Sequence, residues 1–161
     1  MKKSRFDRWL VAAIFLAGTA SPAFAASGCD SIAGIPIRWN INYENDIQAL
    51  FNARCSNCHV KSGGSPEAGL NLDPGASWDS LVNAPSHEQL GRILVVPGQP
   101  SNSVMFEKIN CATPNAGRRM PRGPRTPLPL TEQALIYDWI MLGAPLGQTD
   151  FIFLSGFEAR P

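Results

Sequence analysis

The sequence predicts an all-α domain of short helices that are joined by long loops rich in proline and glycine. The clearest helix is expected to begin at an N-cap, Thr131, and to stop at Gly143. Between these residues, Leu135, Trp139 and Leu142 occupy positions i, i+4 and i+7, which is the spacing of one helix face. The 14 prolines among 161 residues exceed the average share of roughly 5%, and this excess favours short helices over long ones.

Shorter elements precede this helix in the chain. Apolar and polar residues alternate over 35–43, which predicts a short extended segment lying on the domain. A helix capped by Asn45 or a neighbouring residue is expected next, and it should end at a cysteine motif. The glycines and prolines of 61–75 predict a loop, and Ser77 and Ser101 are expected to cap two further short helices.

The N-terminus has the pattern of a secretory signal sequence. An apolar stretch at 10–20 is followed by Ala23-Phe24-Ala25, the small-x-small pattern after which signal peptidase cuts. The stretch is too short to span a bilayer, which needs roughly 20 apolar residues. The sequence therefore predicts export to the periplasm, with 1–25 removed and 26–161 remaining. The basic residues that precede the apolar stretch are Lys2, Lys3, Arg5 and Arg8.

The net charge of the exported part is close to zero. The full chain has a formal charge of +1, and residues 26–161 contain ten basic and twelve acidic side chains, a formal −2. Nucleic-acid-binding domains carry a marked basic excess, so this balance argues against a nucleic-acid partner. No segment after the signal sequence is long and apolar enough to span a membrane. The oligomeric state stays open.

A second route of export also stays open. The residues Ser27-Gly28-Cys29 are similar to the end of a lipoprotein box, in which the cysteine carries lipid after cleavage. Position 26 is alanine where leucine is usual, so cleavage after Ala25 fits the sequence better.

The residues Cys55-Ser56-Asn57-Cys58-His59 form the C-x-x-C-H signature of c-type haem attachment. Two thiols three positions apart on one turn can each add to a vinyl group of the same porphyrin, and His59 then becomes the proximal iron ligand. A thioredoxin-like pair would need a βαβ context, which the pattern does not show. A structural zinc site would need two more ligands at fixed spacing. A disulfide between Cys55 and Cys58 would leave His59 unexplained.

The sixth position of such an iron has four candidate ligands after the signal sequence: His87, Met105, Met120 and Met141. Met105 and Met141 lie in predicted helices among apolar residues, so core packing is the simpler explanation for both. His87 lies in a polar turn. Met120 lies among glycines, arginines and prolines that build no core, and Pro121 restricts the backbone beside it. The sequence therefore predicts Met120 as the distal ligand, since His/Met ligation is the cytochrome c arrangement.

Together these residues resemble class I c-type cytochromes, and most closely the single-haem domains of exported bacterial proteins. The resemblance covers 46–145, about two thirds of the chain. It implies a cytochrome c-like fold around one covalently attached haem c, with Met120 as distal ligand and 26–161 as one domain with short extensions. Besides C-x-x-C-H and the Met120-Pro121 pair, it rests on residues 47–51, 69–72, 77–82, 92–93, 96–103, 138–140 and 143–144.

Two extra cysteines and a long proline-rich loop at 121–129 depart from the simplest members of that family. Cys29 and Cys111 are extra, and an even remainder of cysteines in an exported protein favours a disulfide between them. Lipidation of Cys29 would instead leave Cys111 as a thiol. Four arginines near Met120 are expected to pair with haem propionates, to steer an acidic partner, or to lie in a solvated loop without such a role. They are Arg118, Arg119, Arg122 and Arg125.

The function that follows is a periplasmic cytochrome that carries single electrons, with His59 and Met120 bound to the iron in both oxidation states. Its partners would be a redox-protein donor and a redox-protein acceptor. Two alternatives stay open: a haem enzyme or gas-binding protein with an open sixth position, and an electron-relay subunit of a larger oxidoreductase. The sequence favours the carrier over the enzyme, because besides His59 it offers only His87 for a distal acid–base pair.

Overall fold

A computed structural model describes residues 26–60, 64–115, 117–122 and 126–149 of the chain. The predicted signal sequence at 1–25 lies outside these residues, as does Arg125. In chain order the structure contains a strand β1, three short helices, a strand β2 and a longer helix. Their bounds are β1 Ser27–Cys29, α1 Ala49–Arg54, α2 Ser77–Leu81, α3 Val104–Asn110, β2 Cys111–Thr113 and α4 Leu130–Met141.

The fold class expected from the sequence, all-α and cytochrome c-like, is wrong, because the structure is mixed and contains an antiparallel two-stranded sheet. Cys29 of β1 lies opposite Cys111 of β2. Each strand has three residues, which is too short for an alternating pattern to reveal it in the sequence. Gly28 has a φ of +63°, and a Cβ there would lie 3.0 Å from the Cβ of Ala112, so the two strands approach closely only with glycine at this position.

The last helix ends as predicted but begins differently. Its N-cap is Pro129 rather than Thr131. The carbonyl of Pro129 accepts hydrogen bonds from the N–H groups of Glu132 and Gln133. At its other end Gly143 has a φ of +96°, which confirms the predicted glycine stop.

The first helical segment also begins earlier than expected. A π-helical turn, Tyr43–Gln48, runs directly into α1, and the side chain of Asn42 caps it by accepting from the N–H of Asn45. Ser77 does not cap α2, because its hydroxyl is buried and hydrogen bonded to Gln48 and Tyr43. Similarly, α3 begins after Ser103, while Ser101 lies in a preceding 3₁₀ turn.

The core joins α4 to the segments that precede the cysteine motif and to residues of α2, α3 and the loops that follow it. Trp139 is fully buried and its ring lies 5.5 Å from that of Tyr43, measured between centroids. Phe51 of α1 is also fully buried and belongs to the same core, and Phe106 of α3 contacts Tyr137 of α4 edge to face at 5.2 Å. α4 therefore packs against α3 and against the π-helical turn that runs into α1. α1 and α3 supply two walls of the candidate site.

Candidate cofactor site

The end of α1, one face of α3 and the loops between them surround a cavity of about 350 Å³. This volume lies within the range of small-molecule sites. Four residues predicted from the sequence line it together: Cys55, Cys58, His59 and Met120. Much of the remaining wall is apolar and comes from Leu70, Leu72, Leu94, Met105, Ile109 and Leu128.

The C-x-x-C-H motif is a tight turn that starts where α1 ends. Cys55 is the C-cap of α1. Its carbonyl accepts from the N–H groups of Cys58 and His59, at 3.2 and 3.1 Å. The loop that follows is tied back to this turn, because the carbonyl of His59 accepts from the N–H of Leu72 at 2.6 Å. Local backbone hydrogen bonds therefore hold both cysteines and the histidine at one wall of the cavity.

The imidazole of His59 is half-buried in this wall. Burial is the main cause that lowers its pKa, and the positive charge of Lys108 acts in the same direction. The carbonyls of Glu67 and Leu70 lie near the ring and oppose this shift. Nevertheless, no atom of the described residues completes a hydrogen bond to the buried Nδ1. Because the pKa of His59 is lowered from its ordinary 6.5, the ring is neutral at pH 7. Its Nδ1 has no partner among the described residues, which costs about 1–3 kcal/mol.

A second wall comes from α3 and from the segment that carries Met120. Met105, Lys108 and Ile109 are spaced i, i+3 and i+4 on α3, so they share one helix face, and all three line the cavity. The N–H of Met120 donates to the carbonyl of Lys108 at 2.7 Å. The half-buried side chain of Met120 packs against the core. His59 and Met120 thus reach the same cavity from different elements.

Charged groups lie at the edge of the cavity. Lys108 has a side chain that is 10% exposed and forms an ion pair with Glu88. Arg122 approaches the same carboxylate, with Nη2 3.9 Å from Oε1. Arg54 also lines the cavity and forms an ion pair with Glu132 at 2.6 Å. The lining thus combines an apolar wall with three basic side chains and the carboxylates of Glu67 and Glu88, which suits a ligand that has an apolar body and charged groups.

The four arginines predicted near Met120 have different surroundings. Of the three that the structure describes, Arg122 lines the cavity. Arg119 is directed away from it, to the carboxylate of Asp30, and Arg118 is exposed. Arg125 lies outside the described residues. The sequence interpretation missed Lys108, although its position three residues after Met105 on a helix is a signal that could have indicated it.

Two residues that the sequence assigned to other roles also line the cavity: His87 and Met105. The His87 ring lies 3.9 Å from the point that a Cβ on Gly69 would occupy. Met105 is half-buried on the α3 wall. Met141 on α4 does not line the cavity. An experiment on the sixth ligand must therefore separate Met120 from both neighbours.

Cys29 and Cys111 lie at disulfide distance, with their sulfurs 2.06 Å apart, and this contact joins β1 to β2 across 82 positions of sequence. A sulfur in that bond cannot also carry lipid. Cys55 and Cys58 form no disulfide with each other in the structure.

The chemistry of the cavity fits a covalently attached haem. Two thiols on one turn, a neutral imidazole with an unsatisfied nitrogen, and a thioether on another wall are the groups that such a haem uses. By contrast, the described part of the chain contains no group of three or more His, Cys, Asp or Glu side chains that could hold a metal ion. The four ligands of a structural zinc site are therefore not brought together there.

Among the residues that the structure describes, no helix is long and apolar enough to cross a bilayer. Comparison of the chain with known protein families, with curated proteins and with solved structures gave no match.

Proposed function

We propose that this chain is an exported c-type cytochrome that carries single electrons. The observation that carries the proposal is that the C-x-x-C-H turn and Met120 line the same apolar cavity, although they lie on different elements. The motif alone would suggest haem attachment. Because a thioether lines the same cavity, a hexacoordinate iron is also suggested, and such an iron favours electron transfer over catalysis.

The cysteines of the motif would hold the cofactor covalently. Each thiol would add across one vinyl group, with its sulfur bonding one carbon and its proton going to the other, so that no oxidant would be consumed. His59, neutral because it is buried, is suited to bind iron through an imidazole nitrogen. The haem iron, when bound, supplies a one-electron ferric–ferrous couple. Met120 would occupy the sixth position, and its thioether favours the softer ferrous iron.

The remaining cavity residues would orient the cofactor and exclude water. The apolar wall would cover the macrocycle, and Lys108, Arg122 and Arg54 would supply countercharges to its propionates. The predicted signal sequence and the Cys29–Cys111 pair both support an oxidising compartment, the periplasm. The electron donor and acceptor would be redox proteins that dock through small, short-lived interfaces.

The test is an optical spectrum of the full chain, purified from a host that exports it and attaches haem. We expect a low-spin ferric spectrum with the weak methionine–iron charge-transfer band. Met120→Ala should abolish that band, and Met105→Leu is the matched control that should keep it, because it removes the other cavity thioether. His59→Ala should abolish the low-spin spectrum altogether.

Other outcomes would contradict the proposal in different ways. Absence of covalent haem from the wild-type protein would refute it. A high-spin ferric spectrum, with ready carbon monoxide binding after reduction, would favour an enzyme or a gas-binding protein with an open iron. Loss of the charge-transfer band in Met105→Leu but not in Met120→Ala would assign the ligand to Met105.

A further inference from the structure

We propose that Asp30 and Arg119 are positioning residues that hold the Met120 segment against α3 and so determine how readily an added ligand displaces Met120 from the iron. This inference rests on the proposed function, because it requires Met120 as an iron ligand. The Asp30–Arg119 pair does not line the cavity. It would affect the iron only through Met120, which follows Arg119 in the chain.

Arg119 and Met120 attach to the same end of α3. The N–H of Met120 donates to the carbonyl of Lys108 at 2.7 Å, and Nε of Arg119 donates to the carbonyl of Ile109 at 3.3 Å. Nη2 of Arg119 forms an ion pair with the carboxylate of Asp30, and the side chain of Arg119 is 18% exposed. The guanidinium therefore links the Met120 segment both to α3 and to the residue that follows β1.

Asp30 is itself held at several points, so it is a firm anchor for Arg119. Its N–H donates to the carbonyl of Asn110 at 3.1 Å, and Nδ2 of Asn110 donates back to the carbonyl of Asp30 at 2.9 Å. Its carboxylate accepts from Nε2 of Gln133, a fully buried residue of α4, at 2.8 Å. The preceding residue, Cys29, is bonded to Cys111.

The electrostatics agree with this arrangement. The hydrogen bond from Gln133 and then that from Arg119 lower the pKa of Asp30, so its carboxylate is ionised at neutral pH. A charge-assisted pair of this kind is stronger than a neutral hydrogen bond. Asp30→Asn weakens this ion pair and Arg119→Gln removes it, and neither change alters a residue that lines the cavity. We therefore expect Met120 to compete less well for the iron.

The experiment titrates imidazole into the ferric protein with attached haem and measures its affinity from the optical spectrum. Arg119→Gln and Asp30→Asn should each raise the affinity about tenfold, which corresponds to roughly 1.4 kcal/mol. The double variant should raise it no further than Arg119→Gln alone, because that change already removes the contact with Asp30. Arg118→Gln is the matched control: it removes the same charge from the exposed neighbouring residue and should change the affinity less than twofold. Met120→Ala sets the upper limit.

The outcomes separate this inference from the proposed function. If Met120→Ala raises imidazole affinity but Arg119→Gln and Asp30→Asn do not, the positioning role is wrong and the ligand assignment stands. A lowered unfolding temperature with unchanged affinity would likewise mean a purely structural pair. If Met120→Ala leaves the affinity unchanged, Met120 is not a ligand and both proposals fail. If Arg119→Gln does not fold and attach haem, the nearly isosteric variant Asp30→Asn alone tests the positioning role.

Discussion

Removal of the Cys29–Cys111 bond should destabilise the protein substantially, because this bond is the covalent link between β1 and β2. All three residues of β1 are exposed, so the strand buries almost no apolar surface. The bond closes a loop across 82 positions of sequence. In the chain-entropy description a loop of this length gives roughly 4.5 kcal/mol, and observed effects are typically about 2–4 kcal/mol. We therefore expect Cys29→Ser/Cys111→Ser to lower the free energy of unfolding by about 2–4 kcal/mol.

Urea unfolding, followed by the fluorescence of the chain's tryptophans, measures this difference. With a dependence on urea of about 2 kcal/mol per molar, the midpoint should fall by about 1–2 M. Ser27→Ala is the control, because it changes an exposed residue of the same strand and should alter stability by less than about 0.5 kcal/mol. The haem-attachment motif is untouched, so haem content should be equal in all three proteins.

Two results would refute this reasoning. A loss smaller than about 1 kcal/mol, with an unchanged urea dependence, would show that the bond does not constrain the unfolded chain as the loop length predicts. Thiol labelling of the denatured wild-type protein should leave Cys29 and Cys111 unmodified. Two reactive thiols at these positions would show that no disulfide forms, and a lipid mass on Cys29 would favour the lipoprotein route instead.

Three further predictions concern the core, the cavity edge and Asp30. Phe51→Ala should cost about 3–5 kcal/mol in urea unfolding, because Phe51 is fully buried; a cost below 2 kcal/mol would contradict its place in the core. Gly117→Ala should cost about 1–2 kcal/mol, because Gly117 has a φ of +63° and its Cβ would lie 2.6 Å from Oε1 of Glu88; thermal unfolding that matches the wild type would contradict this. Because the folded-state pKa of Asp30 is lowered from 3.8, its carboxylate stabilises the fold fully above that value and loses this effect as the pH falls through the lowered pKa. The stability advantage of the wild type over Asp30→Asn should therefore be constant from pH 5 to 7 and shrink below about pH 3.8, whereas a pH-independent difference would refute the assignment.

Features that depend on neighbours in the chain could be predicted from the sequence. The C-x-x-C-H turn is closed by hydrogen bonds within five residues, and the hydrophobic spacing around Trp139 predicts α4. The boundaries were less predictable, because alternative caps compete. Pro129 rather than Thr131 begins α4, and the hydroxyl of Ser77 is used in the core by Gln48 and Tyr43 instead of capping its helix.

By itself, the sequence determined the chemistry that is available: two thiols and an imidazole on one turn, one methionine outside any apolar run, and two further cysteines. Only the tertiary structure decided which of these groups meet. It pairs β1 with β2, which overturns the all-α prediction, and it places Met105 and His87 in the cavity. It also directs Arg119 to Asp30 and Lys108 to Glu88. The physical reason is that a local pattern records interactions within a few residues, whereas these contacts join segments 20 to 89 positions apart and form only when the core brings α1, α3 and α4 together.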